Sequence, residues 1–122
     1  MAAALNRIQV ERGGASAAVV RLAGEHDLSS AEELAQALGE LIAEQRSVVI
    51  DLAQATFVDS SILAALLDAR ERSAEAGLDL RLSMPDAAAP AVRRVVELTG
   101  LNDAVTTEEP EGVPTGSAEP AP

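Results

Sequence analysis

The sequence predicts an α/β fold: a single domain whose N-terminal hairpin leads into a mixed, partly parallel sheet of about four to five strands, packed by about three to four helices. Three observations carry this expectation. Two short strand-like runs, Leu5 to Arg12 and Ala17 to Ala23, stand either side of Gly13-Gly14. Val48 to Leu52 is apolar on both parities, as in a strand covered on both faces. From there on, strand-like and helix-like patterns alternate, which implies parallel strands joined by helical crossovers.

The first run alternates loosely through Ile8 and Val10 and stops at a glycine pair, so it reads as a strand and a turn. The second carries Val19, Val20 and Leu22, is expected to stop at Gly24, and pairs antiparallel with the first. Ser29-Ser30-Ala31-Glu32-Glu33 predicts a helix start, because Ser29 with Glu32, or Ser30 with Glu33, makes a capping box. Leu34, Leu38, Leu41 and Ile42 form one apolar stripe on that helix and read as core. Ser47 to Ala53 is the third strand. A second helix is expected from about Ser60 to Ala76, apolar at Ile62, Leu63, Leu66 and Leu67, with Gly77 at its C-terminal stop. Leu78, Leu80, Leu82 and Met84 alternate with Asp79, Arg81 and Ser83, the pattern of a strand with one buried face. Pro90 suits a first helical turn, Val92, Val95 and Val96 form an inward face, and Gly100 ends that helix. A short strand around Ala104 to Thr106 closes the fold.

Composition narrows the chemistry. The 122 residues allow one ordinary domain with one core. Residues 1–107 carry the periodic patterns; residues 108–122 read as a disordered acidic tail rich in proline and glycine, unable to bury enough surface to offset its ordering entropy. Glu108, Glu109 and Glu111 belong to that solvated tail, not to a metal site. Without cysteine, thiol catalysis and zinc-thiolate sites are excluded, and His26 is the single histidine. Every basic residue is arginine, so Schiff-base chemistry and a phosphate-loop lysine are excluded too. The net charge of −11 argues against nucleic acid and suits a protein partner. Phe57 alone is aromatic, so there is no base-stacking platform. No apolar run approaches the ~20 residues that span a bilayer, and the N-terminus lacks a signal-peptide pattern; no membrane insertion and a cytoplasmic location are expected.

The most informative stretch is Val48 to Ser61. A buried-strand run leads to Asp59-Ser60-Ser61, and a helical pattern begins there. Two hydroxyls beside a carboxylate therefore stand at a helix N-terminus, off the carboxyl end of a strand, where α/β sheets place their ligand and partner sites. A serine there serves as a helix cap, a nucleophile or a phosphate acceptor. A Ser60–His26–Asp27 hydrolase site is the weakest of these, because the Gly-x-Ser-x-Gly elbow is absent and adjacent His and Asp align poorly as base and orienter.

Four motifs in order carry a resemblance: Gly24-Glu25-His26-Asp27-Leu28-Ser29, Val49-Ile50-Asp51-Leu52, Phe57-Val58-Asp59-Ser60-Ser61 and Leu98-Thr99-Gly100-Leu101. Together they resemble the STAS domain family, in particular its bacterial stand-alone branch, the anti-sigma factor antagonists. The resemblance covers roughly residues 5 to 107. It implies a protein switch in transcription regulation, with no catalytic activity and no cofactor or metal. The unphosphorylated antagonist binds an anti-sigma factor that is also a serine kinase, freeing the sigma factor. Phosphorylation on the first serine after the motif aspartate dissolves the complex, and a metal-dependent serine phosphatase resets it. Carried onto this chain, the resemblance implies that Ser60 is the phosphoacceptor and that Glu25, His26, Asp27, Asp59, Ser60, Ser61 and Ile62 line the partner-binding surface. Two positions depart from the family pattern. Ile62 stands where the family usually has glycine, adding bulk expected beside the acceptor hydroxyl, and His26 replaces an apolar residue. The alternative is a docking subunit of a larger assembly, a stressosome-like scaffold or the small partner of a lipid-transport ATPase, without a phosphorylation cycle.

Overall fold

β1 (Asn6–Gly13) and β2 (Ala17–His26) form the expected hairpin, with Ile8 opposite Leu22 and Val10 opposite Val20. There follow α1 (Leu28–Ala43), β3 (Ser47–Val58), α2 (Ser60–Glu75), β4 (Leu80–Ser83), α3 (Pro90–Leu98) and β5 (Val105–Thr106). The sheet order is β1-β2-β3-β4-β5; only the β1–β2 pair is antiparallel, so the fold is the mixed α/β sheet that the sequence predicts. The computed structural model describes residues 6–14, 16–84, 89–98 and 105–106. The expected tail of residues 108–122, and Thr99, Gly100 and Leu101 of the last motif, lie outside the described residues.

One face of the sheet carries the main core. Ala18, Val20 and Leu22 of β2, Val48, Ile50 and Leu52 of β3 and Leu80 and Leu82 of β4 meet Leu34, Leu38 and Leu41 of α1 and Ile62, Leu63, Leu66 and Ala69 of α2. α1 and α2 pack side by side over this face. The apolar stripe of α2 is narrower than expected: Leu67 is exposed. The other parity of β2 and β3 mixes fully buried Val19 with an ion-paired chain, Glu11–Arg21–Asp51 (2.6 and 3.3 Å).

Four boundaries differ from the sequence expectation, each for a local reason. β2 does not stop at Gly24 but passes through it to His26; Gly24 adopts φ +85°, and the pairing with β3 slips in register on both sides of it. β3 does not end at Ala53: it pairs with this prolonged β2 as far as Val58 opposite His26, leaving a single residue between strand and helix. α1 starts at Leu28 with Asp27 as its cap, so neither serine capping box forms. Leu78 is not in β4. Its N–H bonds to the Ser73 carbonyl while that of Gly77, at φ +75°, bonds to Ala74, the left-handed closure of α2. α1 closes in the same way through Gln45 at φ +63°, a position that glycine usually fills.

Candidate functional site

β2 and β3 run parallel and end level, so the residues that follow them, Asp27 and Asp59, emerge side by side at the same edge of the sheet. Each is extended, each caps the next helix, and each does so through the same local structure. Asp27 Oδ1 accepts from the backbone N–H of Ser29 (2.9 Å) and from its hydroxyl (2.6 Å). Asp59 Oδ1 accepts from the N–H groups of Ser61 (2.9 Å) and Ile62 (3.2 Å) and from the Ser61 hydroxyl. The Asp59 N–H donates to the His26 carbonyl (3.2 Å), tying the two turns together. Both carboxyl groups are held below their usual range, chiefly by the serine hydroxyls, and the charge of Asp27 works against this at Asp59. Two ionised caps thus stand near enough to repel.

The four serines of these turns have different tasks. The Ser29 and Ser61 hydroxyls are bound to the capping carboxylates, and that of Ser30 lies within reach of the Asp27 carbonyl (3.2 Å) and the His26 ring. Ser60 is exposed at the first residue of α2, and its hydroxyl has no hydrogen-bond partner among the described residues. The capping role that a serine at this place would fill belongs to Asp59.

The structure brings Glu25, Asp27, Asp59, Ser60 and Ser61 to this edge; Glu25, Asp27 and Ser60 are exposed, Asp59 and Ser61 half-buried. It removes two residues from the expected surface. His26 is fully buried: Nε2 donates to the Ala23 carbonyl (2.9 Å), which only accepts, and Nδ1 lies 3.1 Å from the Ser30 hydroxyl oxygen. The ring nitrogens are thus occupied by β2 on one side and by the first turn of α1 on the other, so the imidazole has no free nitrogen with which to serve Ser60 as a base. Ile62 is fully buried as well, its side chain in the core beneath α2 rather than beside the Ser60 hydroxyl. The departure at Ile62 is therefore a packing change, invisible from outside.

Sequence reasoning passed over two residues here. Leu28, the first residue of α1 and the counterpart of Ser60, is 73% exposed, and Phe57, two residues before Asp59, is 45% exposed. The signal available for Phe57 was its being the only aromatic residue, placed outside every apolar stripe. Among the described residues no group of three or more His, Asp or Glu side chains is placed to hold a metal ion, and no helix is long and apolar enough to cross a membrane.

Residues 9–107 match the family model described as Mlab, STAS domain. No curated protein matches the chain. Among solved structures, an anti-sigma factor antagonist from Mycobacterium paratuberculosis is 30% identical, with a TM-score of 0.66, covering 82% of this chain and 82% of that one. The Bacillus cell fate determinant SpoIIAA in its phosphorylated form is 22% identical, with a TM-score of 0.69, covering 82% of this chain and 89% of SpoIIAA. The unphosphorylated form of the anti-sigma factor antagonist SpoIIAA is 24% identical, with a TM-score of 0.71, over 82% and 86%.

Proposed function

The chain belongs to the STAS domain family, and from that premise we propose that it is an anti-sigma factor antagonist, switched off by phosphorylation of Ser60. In its unphosphorylated form it binds an anti-sigma factor that is also a serine kinase and so frees a sigma factor in the cytoplasm; a serine phosphatase reverses the modification. The protein performs no catalysis itself. The observation that carries this reading is the Ser60 hydroxyl, exposed at a helix start and without a hydrogen bond among the described residues, while its three neighbours are engaged.

The electrostatics of the site support a switch. Phosphate adds about −1.5 to −2 charge at neutral pH. The N–H groups of Ser61 and Ile62 are already bonded to the Asp59 side chain and that of Leu63 to the Asp59 carbonyl, so of the donors of the first turn a phosphate on Ser60 is left its own N–H alone. It finds instead the carboxylates of Asp59 and Asp27. Its charge is directed outward into the interface, where like-charge repulsion and desolvation oppose binding. A loss of about 3 kcal/mol weakens a complex more than a hundredfold.

The test uses the purified anti-sigma serine kinase of the source organism, ATP and magnesium, with the modified residue mapped by mass spectrometry. Ser60 is expected to carry the phosphate. Ser60→Ala stays bound with ATP present; Ser60→Glu binds poorly with a native circular-dichroism spectrum; Ser61→Ala still accepts phosphate. Phosphate on Ser61 alone moves the site by one residue. Tight, ATP-independent binding with neither serine modified rejects the switch and leaves a docking subunit.

A further inference from the structure

Among the described residues, the large apolar side chains left exposed are Leu28, Phe57 and Leu67. Two are fixed to the twin turns, one residue after Asp27 and two residues before Asp59. The third shares a side of α2 with Ser60: Ser60, exposed Ala64 and Leu67 follow at helical spacing of four and then three residues, a stripe without charge over the first two turns. The chain has one aromatic residue and leaves it 45% exposed while its core is closed with leucine, isoleucine and valine. Solvent gives no reason for that placement, whereas a buried interface does.

The acidic side chains divide into paired and unpaired ones, and exposed Glu40, Glu71, Glu75 and Asp79, like those at the twin turns, form no ion pair among the described residues. Glu11, Glu44, Asp51 and Asp68 are each ion-paired with an arginine. Exposed Glu25, Asp27, Glu32 and Glu33, on β2 and the first turns of α1, form no ion pair among the described residues.

We infer that Leu28, Phe57 and Leu67 are the apolar anchors by which the anti-sigma kinase docks around Ser60, and that this partner presents an apolar pocket flanked by Arg or Lys side chains that meet the unpaired carboxylates. The inference rests on the proposed function. It adds to it which side chains hold the partner: apolar contacts supply affinity at the centre, and the acidic margin supplies orientation and association rate. Leu67 shares a side of α2 with Ser60, and Leu28 and Phe57 flank the two capping turns, so a phosphate on a partner-covered Ser60 is desolvated in an interface that also holds carboxylates.

Isothermal titration of the full chain against the purified kinase of the source organism, without ATP, tests this. Leu28→Ser and Phe57→Thr are each expected to weaken binding about tenfold or more, Leu67→Ser less, and binding weakens as salt rises. Circular dichroism and thermal melts show whether the variants remain folded, as exposed positions allow. Wild-type binding with both Leu28→Ser and Phe57→Thr within twofold of it overturns the inference and leaves the proposed function standing. Failure of the folded wild-type chain to bind the kinase overturns both.

Discussion

Replacing Ile62 separates a packing role from a partner role at one of the two positions that depart from the pattern of the resembling family. The side chain is fully buried at the third residue of α2, within the core formed by both helices and the sheet. Its backbone N–H bonds to Asp59, and any substitution except proline keeps that bond. The loss is therefore the side chain alone. Ile62→Val removes one methylene and should cost about 0.5–1.5 kcal/mol; Ile62→Ala leaves a cavity and should cost about 2–5 kcal/mol. Ile62→Gly adds about 1 kcal/mol for the helix backbone, giving about 3–6 kcal/mol in all. Against a total stability of about 5–15 kcal/mol, the glycine variant is close to unfolding, so the valine and alanine variants carry the measurement. Urea titration monitored by circular dichroism reads them, with midpoints falling at an unchanged m-value. Each kcal/mol lowers the melting temperature by about 4–8 °C in a domain of this size. Folded Ile62→Val should bind the kinase as the parent does. A cost below about 1 kcal/mol for Ile62→Ala, or a tenfold loss of binding by stable Ile62→Val, would refute the assignment of this residue to the core.

Three other substitutions test separate parts of the fold. The Ser73 hydroxyl of α2 is buried with no hydrogen-bond partner among the described residues, so Ser73→Ala should be neutral or stabilising by up to about 1 kcal/mol; a clear destabilisation in urea means that the hydroxyl is satisfied after all. Gln45→Gly should raise stability by up to about 1 kcal/mol, since φ +63° strains a side chain but not glycine, and a lowered melting point contradicts this. Glu44, bonded by Arg12 of β1 and by Arg46, has its carboxyl lowered to about 2. Its contribution is present above the ordinary value of 4.5 and lost as pH falls from there toward 2. Glu44→Gln should therefore flatten the pH dependence of the melting temperature in that window and lessen its sensitivity to salt; equal slopes for the two proteins would remove the ion pair from the account.

What was legible in the sequence is what short-range pattern carries. Hydrophobic periodicity located each strand and helix, the glycine after α2 marked its end, and Asp59-Ser60-Ser61 at a strand-to-helix junction marked the candidate site. Composition removed metal-thiolate and lysine chemistry before any coordinate was needed. Pairing across the sheet decided the rest. β3 extends to Val58 because prolonged β2 supplies partners for its backbone, and Gly24 bends without leaving the strand because the bulges on both sides absorb it. Asp27 wins the cap of α1 over two serines because β2 delivers it, extended, to the start of the helix, a competition that local propensity does not rank. Burial was decided the same way. His26 adjoins exposed Asp27, and Ile62 lies two residues after exposed Ser60, yet both are buried, while Leu28 and Phe57, apolar by composition, are exposed. Successive side chains point to opposite faces along a strand and about 100° apart around a helix, and only the position of the neighbouring helix and strand determines which direction is solvent.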